Sequence, residues 1–495
     1  MIGRKSYLLL VGTMLSALAN FIGVYFLTNY LGPSEYGALV WAIAIMTSLN
    51  VVADLGFDSA HIKRISEGKD QEDRLATYIA VKAVLIFSMA SIATSLLFIW
   101  PYLGGEGLSE GTAALLMIFT VYFILYDLAS IFSCTFMARE EVARYAIIIL
   151  ADPMVRVPLT VYLAVNHASL TEVGLAYVCG SLAMLVMALA VFFRSKLKIG
   201  SPNCFKDYFS FAIPISTIAI ITILSTNLDK VIIGMFDASK AVGFYASAFT
   251  LMLMVSAIGS AVANVTFPAF SRLISEGRRE TIRDSTYLAE RFIALVVAPI
   301  IAFCLIFPEL ILTTLFGDSF AEAAPALRLL SLAFYINMLN GVYVSQIYSF
   351  NLPKIAAKIS VAWFSLDMVL VLFLVPSMFM GLSFIGAAIA YTVSVCLSSV
   401  MTRLVTRKLS GTSINRKVIP ITCASLVAAA IMLLVHHFIP LAGLLGLLVY
   451  GASLPLVYIV LVYGTGIMSK DDIKYLLDVV NPFKLLGYMR SEVRK

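Results

Sequence analysis

Charged side chains within long apolar runs are the residues of this sequence whose types and spacing can do chemistry. Asp229 and Lys230 are adjacent near the end of one run, and Asp152 and Arg156 stand four residues apart in another. Each such charge costs roughly 2.5–3.5 kcal/mol to insert into hydrocarbon, so it is normally kept for a purpose and turned away from lipid. An acid and a base four apart share a helix face and can pair, whereas adjacent side chains point about 100° apart. Asp229 and Lys230 therefore each need a partner of their own.

Both pairs allow two interpretations. Asp152 and Arg156 form either a self-neutralising pair that holds a kink at Pro153, or a cation site that binds a substrate. Lys230 either faces a polar cavity or extends its ammonium to the nearby membrane surface, with Asp229 in a packing contact. The sequence leaves both choices open.

Four further intramembrane charges stand alone in sequence. Asp127 and Asp367 lie in the middle of apolar runs, where a carboxyl group is either protonated and hydrogen-bonded or binds a coupling ion. Lys82 and Arg328 lie within about two helical turns of the end of a run, from where a long side chain can snorkel to the interface. We expect Lys82 to snorkel, and Arg328 is a candidate for binding an anion.

A polar stripe follows the second apolar run. Its members are spaced three, four, four and three residues apart: Thr47, Asn50, Asp54, Asp58 and His61. This spacing predicts one face of a single helix, which in lipid must contact protein or water. A later run that aligns with this one contains Asn264 in a similar stripe. The alternative for the neutral members is tight helix packing, in which Ser, Thr and Asn bind neighbouring helices.

The composition is that of an all-α polytopic membrane protein. The 495 residues are 61% hydrophobic and 13% charged, with a mean hydropathy of +0.95. A membrane span needs about 20 apolar residues. We predict fourteen spans, near residues 7–29, 38–57, 77–100, 111–137, 145–165, 172–193, 209–235, 243–265, 290–316, 326–350, 355–376, 384–404, 418–438 and 442–466.

The basic residues predict the orientation of these spans. Of the 35 Lys and Arg residues, 30 fall in alternate connections and at the two ends of the chain, and the facing loops hold Lys240 alone. The positive-inside rule therefore places both termini in the cytoplasm of a cell membrane protein. The net charge of +6 is an orientation signal, so no nucleic-acid partner is expected.

An internal repeat divides the predicted spans into groups. Matched positions recur at an offset near 210 residues, for example Gly37 with Gly243 and Gly174 with Gly386. This offset predicts two parallel lobes of six helices with a binding site between them. The predicted divisions are an N-terminal lobe over 1–200, a C-terminal lobe over 201–410, two additional helices over 411–466 and a cytoplasmic tail over 467–495.

Several sequence stretches resemble one transporter family. They are NLDKVIIGMF with VGFYASA, LGPSEYGAL, ADLGFDSAHIKRIS, LFGDSFAEAAPALRLLSL and FIGAAIAYTVS. Together they resemble the polysaccharide transporter, or oligosaccharide flippase, family, which shares a fold with the MATE drug exporters and the bacterial lipid II flippases. The resemblance implies a flippase that moves a polyprenyl (di)phosphate-linked oligosaccharide from the cytoplasmic to the outer leaflet.

The implied cargo assigns expected roles to the intramembrane residues. Lys230, Arg156 and Arg328 are candidates for binding the anionic headgroup. The candidates for lining the cavity or binding a coupling ion are Asn50, Asp54, Asp58, Asp127, Asp152, Asp229, Asn264 and Asp367. We expect no catalytic residue, metal or cofactor, with Na⁺ or H⁺ as the coupling ion. The expected partners are membrane lipids and glycan-assembly enzymes around a monomeric protein.

Two other functions remain open at this stage. One is a cation-coupled exporter of drugs or small metabolites with the same fold. The other is a membrane enzyme of polyprenyl-linked glycan assembly, against which the short external loops argue, since they leave no room for a catalytic domain. The intramembrane cations suit an anionic headgroup better than a cationic drug.

Overall fold

The computed structural model describes residues 2–68, 70–99, 110–195 and 197–467, and all regular structure in these residues is helical. The predicted tail lies outside the described residues from 468 onward, as does most of the predicted external loop near 101–110. The helices group into two compact units, which divide between Met235 and Phe236. The packing thus groups the seventh predicted span with the first unit, whereas the repeat assigned it to the second half. The lobe boundaries stay predictions.

In the described residues, the first unit contains seven helices. They are α1 (Ile2–Asp54), α2 (Phe57–Ser66), α3 (Gln71–Ile99), α4 (Glu110–Ala138), α5 (Val142–Val165), α6 (Leu170–Phe193) and α7 (Phe205–Phe236). Helix α5 packs against α1 and α6, and α4 packs against α6. Their small and apolar residues form buried clusters, one of which joins Ala129, Ile148 and Met184 from α4, α5 and α6.

Helix α1 contains the first two predicted spans. At 1.5 Å per residue its 53 residues would extend about 80 Å, more than twice the hydrocarbon thickness of about 30 Å. Gly32 breaks the helical geometry with φ 70° and ψ 177°, and Pro33 follows it. Glycine adopts this positive φ without the steric cost that a side chain imposes. The kink is therefore the connection between the two spans.

The predicted single-helix stripe from Thr47 to His61 is wrong. Helix α1 ends at Asp54, and Leu55 and Gly56 both have positive φ before α2 begins. A Cβ at Gly56 would lie 2.9 Å from the carbonyl oxygen of Ala212 on α7, so the turn also requires close backbone contact. Asp58 and His61 consequently lie on α2 and not on the helix that bears Thr47, Asn50 and Asp54.

The second unit contains eight α-helices and one 3-10 helix between residues 236 and 467, the part that the structure describes. They are α8 (Ser239–Ser275), α9 (Arg279–Ile306), α10 (Pro308–Phe316), the 3-10 helix (Asp318–Ala323), α11 (Ala324–Ser349), α12 (Pro353–Leu374), α13 (Ser383–Ser410), α14 (Val418–Phe438) and α15 (Gly443–Gly464). The predicted span 290–316 is broken at Phe307, because Pro308 cannot continue the hydrogen bonding of α9. Helices α14 and α15 pack on the α9–α10 region around Phe307.

The helices confirm a polytopic all-α membrane protein. Twelve helices in the described parts of the chain are long and apolar enough to cross a membrane, with α1 counted once. When α1 is counted as two passes and the 32-residue helix α7 is added, the helices match the fourteen predicted spans. Hydrophobic stretches of this length are therefore sufficient to locate the helices of this fold.

Close contact between α1 and α7 at Gly234 generates the first prediction. A Cβ at this position would lie 2.2 Å from the ring of Trp41, whose Nε1 donates to the carbonyl of Val231 at 3.0 Å. Gly234→Ala should therefore destabilise the protein by about 1–3 kcal/mol through overpacking and lower its thermal unfolding midpoint in detergent. Gly451→Ala is the matched control, because no atom lies within 4 Å of its added Cβ. Equal midpoints for the two variants would contradict the contact.

Candidate functional site

A cavity of about 570 Å³ lies within the first unit, between α1, α4, α5 and α6. Its lining combines amides, hydroxyls, aromatic rings and one pair of opposite charges. The lining residues are Ser16, Asn20, Ile43, Thr47, Asn50, Tyr122, Phe123, Tyr126, Tyr145, Ile149, Asp152, Pro153, Arg156, Tyr177 and Met184. Small-molecule sites in proteins typically enclose about 300–1,000 Å³ and combine apolar walls with a few placed polar groups. The cavity has the size and composition of such a site.

Arg156 is held in the cavity wall by partners on two helices. Its Nε donates to Asp152 Oδ2 at 3.0 Å, and its Nη2 donates to the same oxygen at 2.9 Å and to Asn20 Oδ1 at 2.7 Å. Asn20 in turn donates to the carbonyl of Ser16 at 2.8 Å. The predicted pairing of residues four apart on α5 is confirmed. Both side chains are mostly buried, which favours a fixed geometry for the pair.

Helix α6 completes the environment of this pair. A Cβ at Gly180 would lie 2.5 Å from Asp152 Oδ1 and 2.7 Å from Arg156 Cβ, so glycine permits the close approach of α6 to α5. Tyr177, one turn earlier, places its ring 4.7 Å from the guanidinium carbon of Arg156. A guanidinium over an aromatic face gains a further electrostatic attraction. The position of the Arg156 guanidinium is therefore fixed by Asp152 on α5, by Asn20 on α1 and by the Tyr177 ring on α6.

Aromatic rings form the wall of the cavity next to Arg156. The rings of Tyr122 and Tyr126 lie 5.9 Å apart and 32° from parallel, while Tyr177 meets Tyr122 at 5.8 Å and 82°. The ring of Phe119 makes edge-to-face contacts with the rings of both Tyr122 and Tyr177. The sequence analysis did not identify these tyrosines. The spacing of Tyr122 and Tyr126, four apart on one helix face, is the signal that could have found them.

Lys82 is the centre of a second polar cluster, and the prediction that it snorkels is wrong. Its side chain is fully buried, with Nζ 2.9 Å from Asp58 Oδ1, 3.3 Å from Asp127 Oδ1 and 3.1 Å from the carbonyl of Ala53. Tyr78 donates to Asp58 Oδ1 at 2.6 Å. Asp127 is therefore not a lone acid. The carboxylates of Asp58 and Asp127 bind the ammonium inside the protein, so the side chain does not extend to the membrane interface.

The residues around this cluster fix the start of α2. Asp54 Oδ1 accepts a hydrogen bond from the backbone N–H of Asp58 at 3.0 Å, which satisfies a donor at the helix terminus. His61 is fully buried, bonded through Nδ1 to the hydroxyl of Tyr208 and through Nε2 to that of Thr135, each at 2.8 Å. These contacts describe a packed junction between helices rather than a cavity wall.

The remaining predicted residues of the first unit lie on α7. Asp229 is buried, and Lys230 is partly accessible and donates to the carbonyl of Thr226 on its own helix. Neither lines the cavity around Arg156. Their adjacent positions do give them different environments, as their helical geometry requires.

The predicted residues of the second unit lie on three different helices, α8, α11 and α12. Arg328 is exposed and donates through Nε to the carbonyl of Leu305 at 3.2 Å. Asn264 is exposed on α8, and Asp367 is fully buried on α12. Their assignment to a site stays a prediction.

The second unit also contains an ion pair that the sequence analysis missed. Arg403 Nη2 lies 2.6 Å from Glu290 Oε1, and the hydroxyl of Tyr343 donates to the other oxygen at 2.8 Å. The guanidinium lies 4.2 Å from the centre of the Tyr343 ring. In the sequence, Arg403 was counted among the basic residues that set the orientation. Its partner Glu290 is 113 residues away, so the spacing of residues could not indicate the pair.

The sequence profile described as "Polysaccharide biosynthesis protein" matches residues 26–325, more than half of the chain. The chain belongs to this family. Within the polysaccharide biosynthesis family, a probable low-salt glycan biosynthesis flippase of Haloferax volcanii is 24% identical over 416 residues, covering 81% of this chain and 82% of the relative. A putative O-antigen transporter of Shigella flexneri is 22% identical over 79% of this chain and 94% of its own length. These findings confirm the family predicted from the motifs.

Solved structures show the same fold. The lipid II flippase MurJ in an inward closed conformation matches with a TM-score of 0.72 over 92% of this chain and 99% of its own, at 14% identity. An inward-facing MATE multidrug transporter matches with a TM-score of 0.61 over 83% of this chain and 100% of its own, also at 14% identity. At these identities the likeness establishes the architecture alone.

The buried position of Lys82 leads to the second prediction. Lys82→Met removes the cation and leaves Asp58 and Asp127 uncompensated, and breaking such a buried ion pair costs about 3–5 kcal/mol. We expect low accumulation in the membrane and a much lower unfolding midpoint. Lys354→Met, an exposed position at the start of α12, should behave as the native protein.

A double variant separates loss of charge balance from loss of packing. Lys82→Met with Asp127→Asn should recover part of the stability, because one uncompensated negative charge is removed. If Lys82→Met alone is as stable as Lys354→Met, the ammonium reaches water and the buried cluster is contradicted.

Proposed function

We propose that this protein is a flippase for a polyprenyl phosphate- or diphosphate-linked oligosaccharide, moving it from the cytoplasmic to the outer leaflet of the cell membrane. The proposal is supported by membership of the polysaccharide biosynthesis family and by relatives described as a glycan biosynthesis flippase and an O-antigen transporter. The protein acts as a secondary transporter driven by Na⁺ or H⁺, with both termini in the cytoplasm.

The observation that carries the proposal is the polar cavity around Arg156 inside the helices of the first unit. A glycan headgroup is rich in hydroxyls and must leave water to cross the bilayer, so each lost hydrogen bond needs a replacement. The cavity supplies an amide at Asn20, a guanidinium at Arg156 and aromatic surfaces at Tyr122 and Tyr126. The lipid tail needs no such site, because it stays in hydrocarbon throughout.

The phosphate of the cargo needs a different group. Lys230 is the candidate we propose, since it is partly accessible and lies on α7, outside the pair that Asp152 forms with Arg156. An ammonium binds phosphate as a point charge and does not need a fixed planar geometry.

The function is tested by deletion of the gene in the source organism. We expect lipid-linked glycan to accumulate on the cytoplasmic leaflet while the surface glycan disappears, because synthesis continues without translocation. Leaflet-specific labelling of the precursor, together with surface glycan staining, measures both. A strain that lacks the precursor altogether would indicate an enzyme of glycan assembly. An intact surface glycan with altered drug sensitivity would indicate an exporter of small molecules.

Substitutions of Arg156 form the next prediction. Arg156→Ala leaves Asp152 without its cation in a cavity and removes the bond to Asn20, so transport should be abolished when the variant is expressed in the deletion strain. Arg156→Lys should retain part of the activity, because an ammonium compensates Asp152 but cannot contact Asn20 and Asp152 in one plane. Restoration of surface glycan is the measurement.

A control variant excludes a general effect of lost positive charge. Arg272→Ala removes a highly exposed arginine near the end of α8 and should restore surface glycan fully. Membrane levels of all three variants must be compared by immunoblotting. Full activity of Arg156→Ala at normal protein level would return the pair to a purely structural role.

A further inference from the structure

We propose that the cavity of the first unit binds an uncharged sugar residue of the oligosaccharide, and not its phosphate, with Tyr122 and Tyr126 as the stacking surface. This inference rests on the proposed function and assigns one part of the cargo to one site. It makes Tyr126 a residue that determines which sugar the protein accepts.

The charge of the cavity argues against a phosphate. Of the lining residues, Asp152 and Arg156 carry charges, and these are opposite and 2.9 Å apart. The pair therefore presents no net charge to an incoming group. A phosphate that approached Arg156 would also approach the Asp152 carboxylate, and the repulsion between like charges is strong where water is excluded. An uncharged group that both donates and accepts hydrogen bonds meets no such penalty.

The aromatic wall fits the shape of a sugar ring. A pyranose has faces of C–H groups and an edge of hydroxyls. The face of an aromatic ring is electronegative and attracts slightly positive C–H groups. Tyr122 and Tyr126 place two rings 5.9 Å apart and only 32° from parallel, and Tyr177 stands at 82° to Tyr122. Tyr122 and Tyr126, which we call the aromatic floor, offer ring faces to the C–H groups, and the Tyr177 ring lies nearly perpendicular to that of Tyr122.

Polar groups stand beside this floor for the hydroxyls. The bonds from Arg156 to Asp152 and Asn20 use Nε and Nη2, and Nη1 carries two further N–H donors in the same plane. Asn50 lines the same cavity, and its Oδ1 has no hydrogen-bond partner in the described part of the chain. A buried acceptor without a donor is uncommon in folded proteins. A rotation of the Asn50 side chain toward the cavity would let a sugar hydroxyl supply the missing donor.

The test measures binding to the purified full-length protein in lipid nanodiscs by calorimetry. The first probe is the neutral oligosaccharide released from the host's lipid-linked precursor by mild acid and phosphatase. The second is inorganic pyrophosphate. We expect the oligosaccharide to bind without competition from pyrophosphate. An oligosaccharide that fails to bind at millimolar concentration, or that pyrophosphate displaces from this cavity, overturns the inference.

Variants connect the binding to the aromatic floor. Tyr126→Leu should weaken oligosaccharide binding about tenfold through loss of stacking, whereas Tyr126→Phe keeps the ring and should bind within about twofold of the native protein. Tyr162→Leu, an exposed tyrosine on α5 outside the cavity, is the control and should bind normally. Native affinity in Tyr126→Leu overturns the inference, and the Phe variant keeps the test valid if Leu disturbs folding.

The phosphate site provides the reciprocal measurement. Lys230→Gln should weaken pyrophosphate binding and leave the oligosaccharide unaffected, while Tyr126→Leu should do the reverse. If pyrophosphate binding is lost in Tyr126→Leu, the cavity binds phosphate and the sugar assignment is wrong. These outcomes are independent of the deletion experiment, because a deletion strain that accumulates precursor supports the flippase even when the sugar assignment fails.

Discussion

The cost of placing a charge in hydrocarbon determines the arrangement of the first unit. Two of the cations inside it, Lys82 and Arg156, are compensated in different ways. Lys82 is enclosed by Asp58, Asp127 and a backbone carbonyl, with none of its side chain exposed. Arg156 pairs with the carboxylate of Asp152, also donates to Asn20, and borders a cavity. The first arrangement is closed and joins helices, and the second is open and can exchange contacts with a ligand.

Local backbone features follow from these two requirements. Asp58 reaches Lys82 because the chain turns at Leu55 and Gly56, where positive φ angles end α1 and allow α2 to start in a new direction. Asp152 and Arg156 lie against α6 because Gly180 presents no side chain to them. A glycine permits the turn on which the first ion pair depends, and another permits the close approach of a neighbouring helix to the second.

The helices were predictable from the sequence because hydropathy over about 20 residues is a local property. The Asp152–Arg156 pair was predictable for the same reason, since its partners are four residues apart on one helix. The environment of Lys82 was not predictable. Its distance from a helix end shows that the side chain can reach the interface, but it does not show which carboxylates bind the ammonium inside the protein. Asp127 follows Lys82 by 45 residues, and only packing brings the two together. The prediction that one helix carries the polar residues from Thr47 to His61 was wrong, because the helix ends just before Leu55 and Gly56. The positive φ angles of these two residues cannot be read from the spacing of polar side chains.

The choice of arginine at the open site has a consequence for transport. A planar guanidinium can donate to Asp152 and Asn20 through two of its nitrogens and still has N–H donors on the third for a ligand. An ammonium has a single nitrogen, and in Lys82 its donors are used by acceptors inside the protein. A carrier must release its cargo, so the empty cavity has to be stable as well. If the cavity binds an uncharged sugar, as we propose, departure of that sugar leaves no unpaired charge in the membrane, because Asp152 compensates Arg156 with or without a ligand. A cavity that bound phosphate through an uncompensated cation would lose that stability at each release.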